Sequence, residues 1–341
     1  MKNIARTVLL WTGILLLAAG ALYLACRKVD WQELLSILKQ AHAGWLLAGC
    51  GTISVSYLIR GVRWRGLLCA ERPVALHTVF WSSMVGYLGN CYLPARAGEL
   101  MRSAMLGQRS GISTGYVLAT ALTERILDAI ALVGIALVAV STMHGLPSRF
   151  VVAAHTLGVI ALTAVGILWL ALHCRRVLAG LLRRLRLAEA LQARIITVVE
   201  QFACGAQAIK HGARALQFTG LTAVIWLLDA VSSVIWAHAL GLALTLPQAL
   251  LLLAGLGISS TVPSAPGAVG IFQFVAVTIL VPLGFTHSAA MAYILVVQAC
   301  TYLVVTVWGG IGLGLWAAWK RQAQRPEVAG ETPQPVGSEH G

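Results

Sequence analysis

The chain has 341 residues, of which 58% are hydrophobic and only 11% charged, and it carries a formal net charge of +13. A soluble globular domain holds roughly a quarter charged residues, so this composition excludes an ordinary soluble enzyme or binding module. The positive balance does not read as nucleic-acid binding either. The arginines cluster between apolar runs, which is the pattern of cytoplasmic loops facing anionic lipid. The expected class is an all-α polytopic membrane bundle, with residues 1–321 as one transmembrane domain and 322–341 as a disordered cytoplasmic tail.

In chain order, residues 7–25 form the first apolar run, close to the about 20 residues that a membrane helix needs. Lys2 and Arg6 precede it, and Tyr23-Leu24-Ala25-Cys26 lies at its end. Leu24 stands where a lipoprotein cleavage box needs a small residue, so an uncleaved helix is expected. Residues 30–41 place Trp31, Leu34, Leu35, Ile37 and Leu38 at helical spacing, which predicts an amphipathic helix at the interface. Residues 45–59 return across the membrane, and Arg60, Arg63, Arg65 and Arg72 then read as a cytoplasmic loop.

Residues 74–93 lead into a break, Pro94-Ala-Arg96-Ala-Gly98-Glu99-Leu-Met-Arg102, and a short helix to Arg109. Residues 117–143 form a long span carrying Glu124, Arg125 and Asp128. Residues 151–172 form the next, followed by a basic run of Arg175, Arg176, Arg183, Arg184 and Arg186. Residues 188–214 predict a helix along the cytoplasmic face. Residues 218–240 span with one buried acid, Asp229. Residues 246–260 lead into a second break at 261–270, residues 271–283 follow it, and residues 289–319 are the last span before Lys320, Arg321 and Arg325.

Charge sets the expected topology. If 60–72 and 175–186 both face the cytoplasm, an even number of crossings separates them, so 74–109 enters and leaves on one side. The same count makes 246–283 a second same-side pair, entering from outside. Each pair is either re-entrant or two full spans; short arms and Pro/Gly-rich breaks favour re-entry. Pro94 and Gly98 have the spacing of Pro263 and Gly267, as in an inverted repeat whose broken-helix tips meet near the midplane. Both termini are then cytoplasmic.

Ionisable groups at membrane depth mark substrate or ion pathways by default. Arg96, Glu99 and Arg102 are candidate headgroup ligands, because the arginine fork suits phosphate. Glu124, Arg125 and Asp128 lie about one turn apart and read as an ion pair with Arg96 or Arg102, as counter-charges, or as proton-linked groups. Asp229 has no cation near it in sequence and reads either as a coupling group or as the counter-ion of an arginine on another helix. Asn90 before the first break, and Pro266, Gly267 and Gln273 in and after the second, either satisfy broken-helix backbone or touch a ligand. Gly310, Gly312 and Gly314 form a small-residue packing face. Seven scattered cysteines without a CxxC pair signal neither zinc nor a disulfide framework, and the histidines show no ligand spacing. No metal and no cofactor is expected, and no catalytic residue.

Together Asn90, the Leu93–Arg102 motif, Glu124-Arg125 with Asp128, and Pro263 through Gly270 resemble the lysylphosphatidylglycerol synthase transmembrane region, also called the flippase-like domain family. The Arg60-Gly-Val-Arg63-Trp64 segment is similar too. In the bifunctional synthases this region moves an aminoacylated lipid and a soluble domain makes it; no synthase domain is expected after Trp319 here. The resemblance implies lipid translocation without aminoacyl transfer, in a bacterial inner membrane. The expected partners are a membrane lipid with a phosphate-bearing headgroup and a lipid-biosynthesis enzyme, and no nucleic acid. Without a phosphate-binding glycine loop, movement would be facilitated or ion-coupled. The rival reading is a non-transporting scaffold that presents lipid to a lipid- or glycan-modifying enzyme.

Overall fold

The computed structural model describes residues 2–68, 73–93, 96–143, 145–173, 212–260 and 265–323. Pro94, Pro263, the arginine run 175–186, the helix expected from residue 188 up to 211, and the tail from 324 lie outside the described residues. Among the described residues the chain is a bundle of eleven α-helices with no strand.

Helix α1 (Lys2–Cys26) turns by 86° into α2 (Trp31–Lys39). Asp30 starts α2 by accepting from Gln32 N at 2.9 Å and Glu33 N at 3.3 Å, which satisfies amides that have no partner within the helix. Next comes α3 (Ala43–Leu68). The loop expected at Arg60, Arg63 and Arg65 is therefore helix. Gly61 and Gly66 alone do not end a helix, and buried acids from other helices neutralise Arg60 and Arg63.

Helices α4 (Leu76–Tyr92) and α5 (Ala97–Ser110) fold back on each other as a hairpin around the first break. Their approach is close because three glycines lie between them. A Cβ on Gly89 would sit 2.7 Å from the Gly98 Cα, and one on Gly98 would strike the Gly86 carbonyl oxygen. Helices α6 (Thr114–Thr142) and α7 (Ser148–His173) follow.

The second half runs α8 (Gly212–Ala239), α9 (Leu246–Ser259), a 3₁₀ turn at Pro266–Ala268, α10 (Ile271–Leu280) with a second 3₁₀ turn at Val281–Leu283, and α11 (His287–Ala323). Helices α9 and α10 pack together as a second hairpin.

The pairing of helices repeats. The first hairpin's α4 packs on α11, the second hairpin's α9 packs on α6, and α3 packs on α8. Exchanging the two halves maps this set onto itself. The halves are inverted, because α3 and α8 are antiparallel: Leu46 meets Trp236, Arg60 meets Asp229, and Arg63 meets Thr222. Arg60 also lies as far before Pro94 in sequence as Asp229 lies before Pro263.

Among the described residues, five helices are long and apolar enough to cross a membrane, or six if the bent α1–α2 pair is one span. The segment Pro266–Leu283 is one of the five, although the sequence pattern treats it as one arm of a re-entrant pair. Contacts define the two ends of the bundle. At one end His42 N donates to Ala239 O at 2.9 Å, Thr286 to Glu33 at 2.7 Å and Asp30 N to Ser288 at 2.9 Å. At the other, Arg109 lies over Trp319, Lys320 over Trp316, and Arg65 donates to Val74 O. Of the small-residue face, Gly312 meets α4, as does Gly309, while Gly310 and Gly314 face open space.

Candidate functional site

Helices α3, α5, α6 and α8 bring eight ionised side chains into one continuous chain. It runs Asp229, Arg60, Asp128, Arg63, Glu124, Arg102, Glu99, Arg125. Asp229 accepts from Arg60 Nη2 and from Ser56 Oγ. Arg60 Nη1 lies 4.0 Å from Asp128. Arg63 grips Asp128 with both terminal nitrogens, at 2.6 and 3.0 Å, and reaches Glu124 at 3.0 Å and Thr222 at 2.9 Å. Glu124 also accepts from Arg102 Nη2 at 3.2 Å, and Arg102 Nε lies 2.6 Å from Glu99. Arg125 donates twice to Glu99 Oε1, at 3.0 and 2.6 Å, and Asn90 adds a third donor at 3.3 Å.

Four arginines face four acids, so this chain is neutral as a whole. Neutrality is what permits its burial, since breaking a buried ion pair costs about 3–5 kcal/mol. Aromatic faces cover the cations: Trp226 lies 5.1 Å from Arg60, Phe218 5.0 Å from Arg63 and Trp64 4.4 Å from Arg102. The chain is closed in its middle and open at one end. Arg63 is fully buried, whereas Glu99 is 17% and Arg125 30% exposed.

Arg96 stands outside the chain. It is exposed, takes φ 54° and ψ 37°, and sends Nη2 to Ser260 Oγ at 3.1 Å. Ser260 caps the end of α9, so this contact joins the two hairpin breaks. The strongest charges acting on Arg96 are Arg125, which repels it, and Glu99, which attracts it.

The second break is held differently. Gln273 Oε1 accepts from Gly270 N at 2.7 Å, and its amide nitrogen donates to Gln298. Gln298 donates to Gly267 O at 3.2 Å, and Tyr302 donates to the same oxygen. Gln273 and Gly267 are thus engaged in satisfying broken backbone. Pro266 begins the 3₁₀ turn of this break, and the turn packs on α4.

Glu99, Arg102, Glu124, Arg125, Asp128 and Asp229 are brought together, with Asn90 at the edge. Arg96 adjoins them at the tip. Gly267 and Gln273 belong to a separate amide-bonded cluster with Gln298, and Pro266 starts the turn beside it. Arg102 is fully enclosed and held by two acids, so it is not free to meet a headgroup in this state. Arg60 and Arg63, read from the sequence as loop residues, prove to be the link between the halves. Their spacing of three was the available signal, because it places both on one helix face. The partner of Asp229 was not legible, since it comes from a helix 169 residues away.

A protein found in Haloferax volcanii and named glycosyltransferase AglD is 27% identical over 346 aligned residues, which cover 91% of this chain. The chain spans 54% of that relative's length, about half. The model of the lysylphosphatidylglycerol synthase transmembrane region matches residues 10–309. With that match over most of its length, the chain belongs to the lysylphosphatidylglycerol synthase transmembrane-region family.

Proposed function

We propose that this multi-pass membrane protein is a lipid translocase that moves a polar-headed lipid across the bilayer without hydrolysing ATP. One observation carries the reading. Two inverted hairpin breaks meet through Arg96 and Ser260 at the open end of an otherwise neutral ionic core. Broken helices in inverted repeats form substrate sites in many secondary transporters, and an arginine fork suits a phosphate-bearing headgroup. The lipid tails would remain outside while the headgroup enters between the hairpins. Both hairpins are read as re-entrant. In this reading both termini face the cytoplasm of a bacterial cell, the side on which Arg65, Arg109, Lys320 and Arg321 would then lie. No catalytic role is assigned.

Scrambling of headgroup-labelled lipids in proteoliposomes, across several lipid classes, tests the proposal. Acceleration of at least one class over protein-free vesicles is expected. No acceleration of any class would overturn it.

A second reading has a specific observation in its favour. Asp229 is paired with Arg60, as a structural counter-ion would be, and a scaffold accommodates such a pair as readily as a transporter does. The likeness to a protein named a glycosyltransferase fits a membrane domain that holds or presents lipid for glycan modification. Co-purification of a lipid- or glycan-modifying enzyme, with no scrambling, would favour this reading.

A further inference from the structure

Among the described residues, two that are not glycine have positive φ: Arg96 and Ala268, one in each break. Any residue with a Cβ is disfavoured there, and glycine is the residue that backbone calls for. Arg96 is the N-cap of α5, with φ 54° and ψ 37°, and the N-cap of α10 is a glycine, Gly270, also at positive φ, 89°, but with ψ −55°. A Cβ on Gly270 would strike the Ala18 carbonyl of α1. Arg96 therefore occupies a position where the local conformation favours glycine.

Its side chain is the reason we infer for its presence. We propose that Arg96 is the loading cation for a lipid headgroup carrying one negative charge, a phosphodiester. This deepens the translocase reading and rests on it for the lipid source of the phosphate.

The charge count selects the class. Arg60, Arg63, Arg102 and Arg125 are balanced by Glu99, Glu124, Asp128 and Asp229. Arg96 adds one positive charge, and no acid pairs with it among the described residues. A phosphodiester carries one negative charge at neutral pH and completes that balance. A phosphomonoester, with a second pKa near 6, carries nearly two and leaves an excess. The present partner of Arg96 is weak and replaceable. Ser260 is a neutral hydroxyl that also donates to Gly257 O at 2.6 Å, and a charge-assisted bond to phosphate is about twice as strong as a neutral one. Arg125 faces the same opening, so an anion between the two arginines also relieves their repulsion.

The experiment uses the full chain purified in detergent micelles, with native mass spectrometry to count bound lipid. The probes are phosphatidylglycerol, phosphatidic acid and inorganic phosphate, and the variants are Arg96→Gly and Arg96→Lys. Arg96→Gly removes the cation and relieves the backbone, so its melting temperature should match or exceed wild type. Its affinity for phosphatidylglycerol should fall at least tenfold, with Arg96→Lys in between. Wild type should prefer phosphatidylglycerol to phosphatidic acid and keep it against excess inorganic phosphate. Undiminished phosphatidylglycerol binding by Arg96→Gly would overturn the proposal. Equal preference for phosphatidic acid would overturn the charge count, and displacement by inorganic phosphate would overturn the lipid assignment. Binding that depends on Arg96 in a protein that scrambles no lipid would leave this inference standing while the translocase reading falls.

Discussion

Arg60 and Asp229 are corresponding residues of the two inverted halves, and they pair with each other. Arg60 Nη2 donates to Asp229 across the α3–α8 contact, with Ser56 on the second carboxylate oxygen. A residue and its repeat counterpart can touch only near the pseudo-two-fold axis. This ion pair therefore marks the axis and joins the halves there.

Asp229→Asn should destabilise the protein, because it leaves Arg60 buried beside Asp128 alone. Breaking a buried pair in this way costs about 3–5 kcal/mol. Thermal unfolding of the detergent-purified protein should show a lower midpoint. The exchanged pair Arg60→Asp with Asp229→Arg should be more stable than either single change. It should stay below wild type, since the carboxylate introduced on α3 would face Asp128. An Asp229→Asn variant as stable as wild type would remove the pair from the fold.

The clamps on the two hairpins should be interconvertible. Glu99 and Gln273 are each the third residue of their helices, and Arg125 and Gln298 are each the twelfth of theirs. One half joins these positions by an ion pair and the other by an amide pair. Gln298→Arg alone buries an unpaired charge and should reduce folded yield. Adding Gln273→Glu should restore part of it. If the double variant is no better than the single one, the two clamps are not equivalent.

Gly98→Ala should open the first hairpin. Its new methyl meets the Gly86 carbonyl and the Asn90 amide, both backbone atoms that cannot rotate away. Overpacking costs about 1–3 kcal/mol and occasionally more, and a backbone obstacle places this site at the upper end. Lower membrane yield and a lower melting midpoint are expected, whereas Gly310→Ala, which faces open space, should be neutral.

Topology is checked by thiol labelling on a cysteine-free background. Ser148→Cys, at the start of α7, should react only from outside. Gln108→Cys, near the end of α5, should react only from the cytoplasm. The reverse pattern would invert the bundle and move the Arg109–Trp319 end to the outer face.

Composition and apolar run length alone determined the class of this protein, because spanning a bilayer demands about 20 apolar residues and internal backbone satisfaction. The two breaks were legible as well, since proline and glycine punctuate a helix locally, and so was the charged set at Glu99, Arg102, Glu124, Arg125 and Asp128. Only the tertiary structure decided which charges remain available. Arg60 and Arg63 looked like loop arginines because a basic cluster after an apolar run has that local pattern; acids on α6 and α8 hold them in the core. Arg102 and Arg96 looked alike in sequence, yet one is enclosed by two carboxylates and the other meets Ser260 in the open. Ion pairing depends on distances between helices far apart in the chain, and no local pattern encodes those distances.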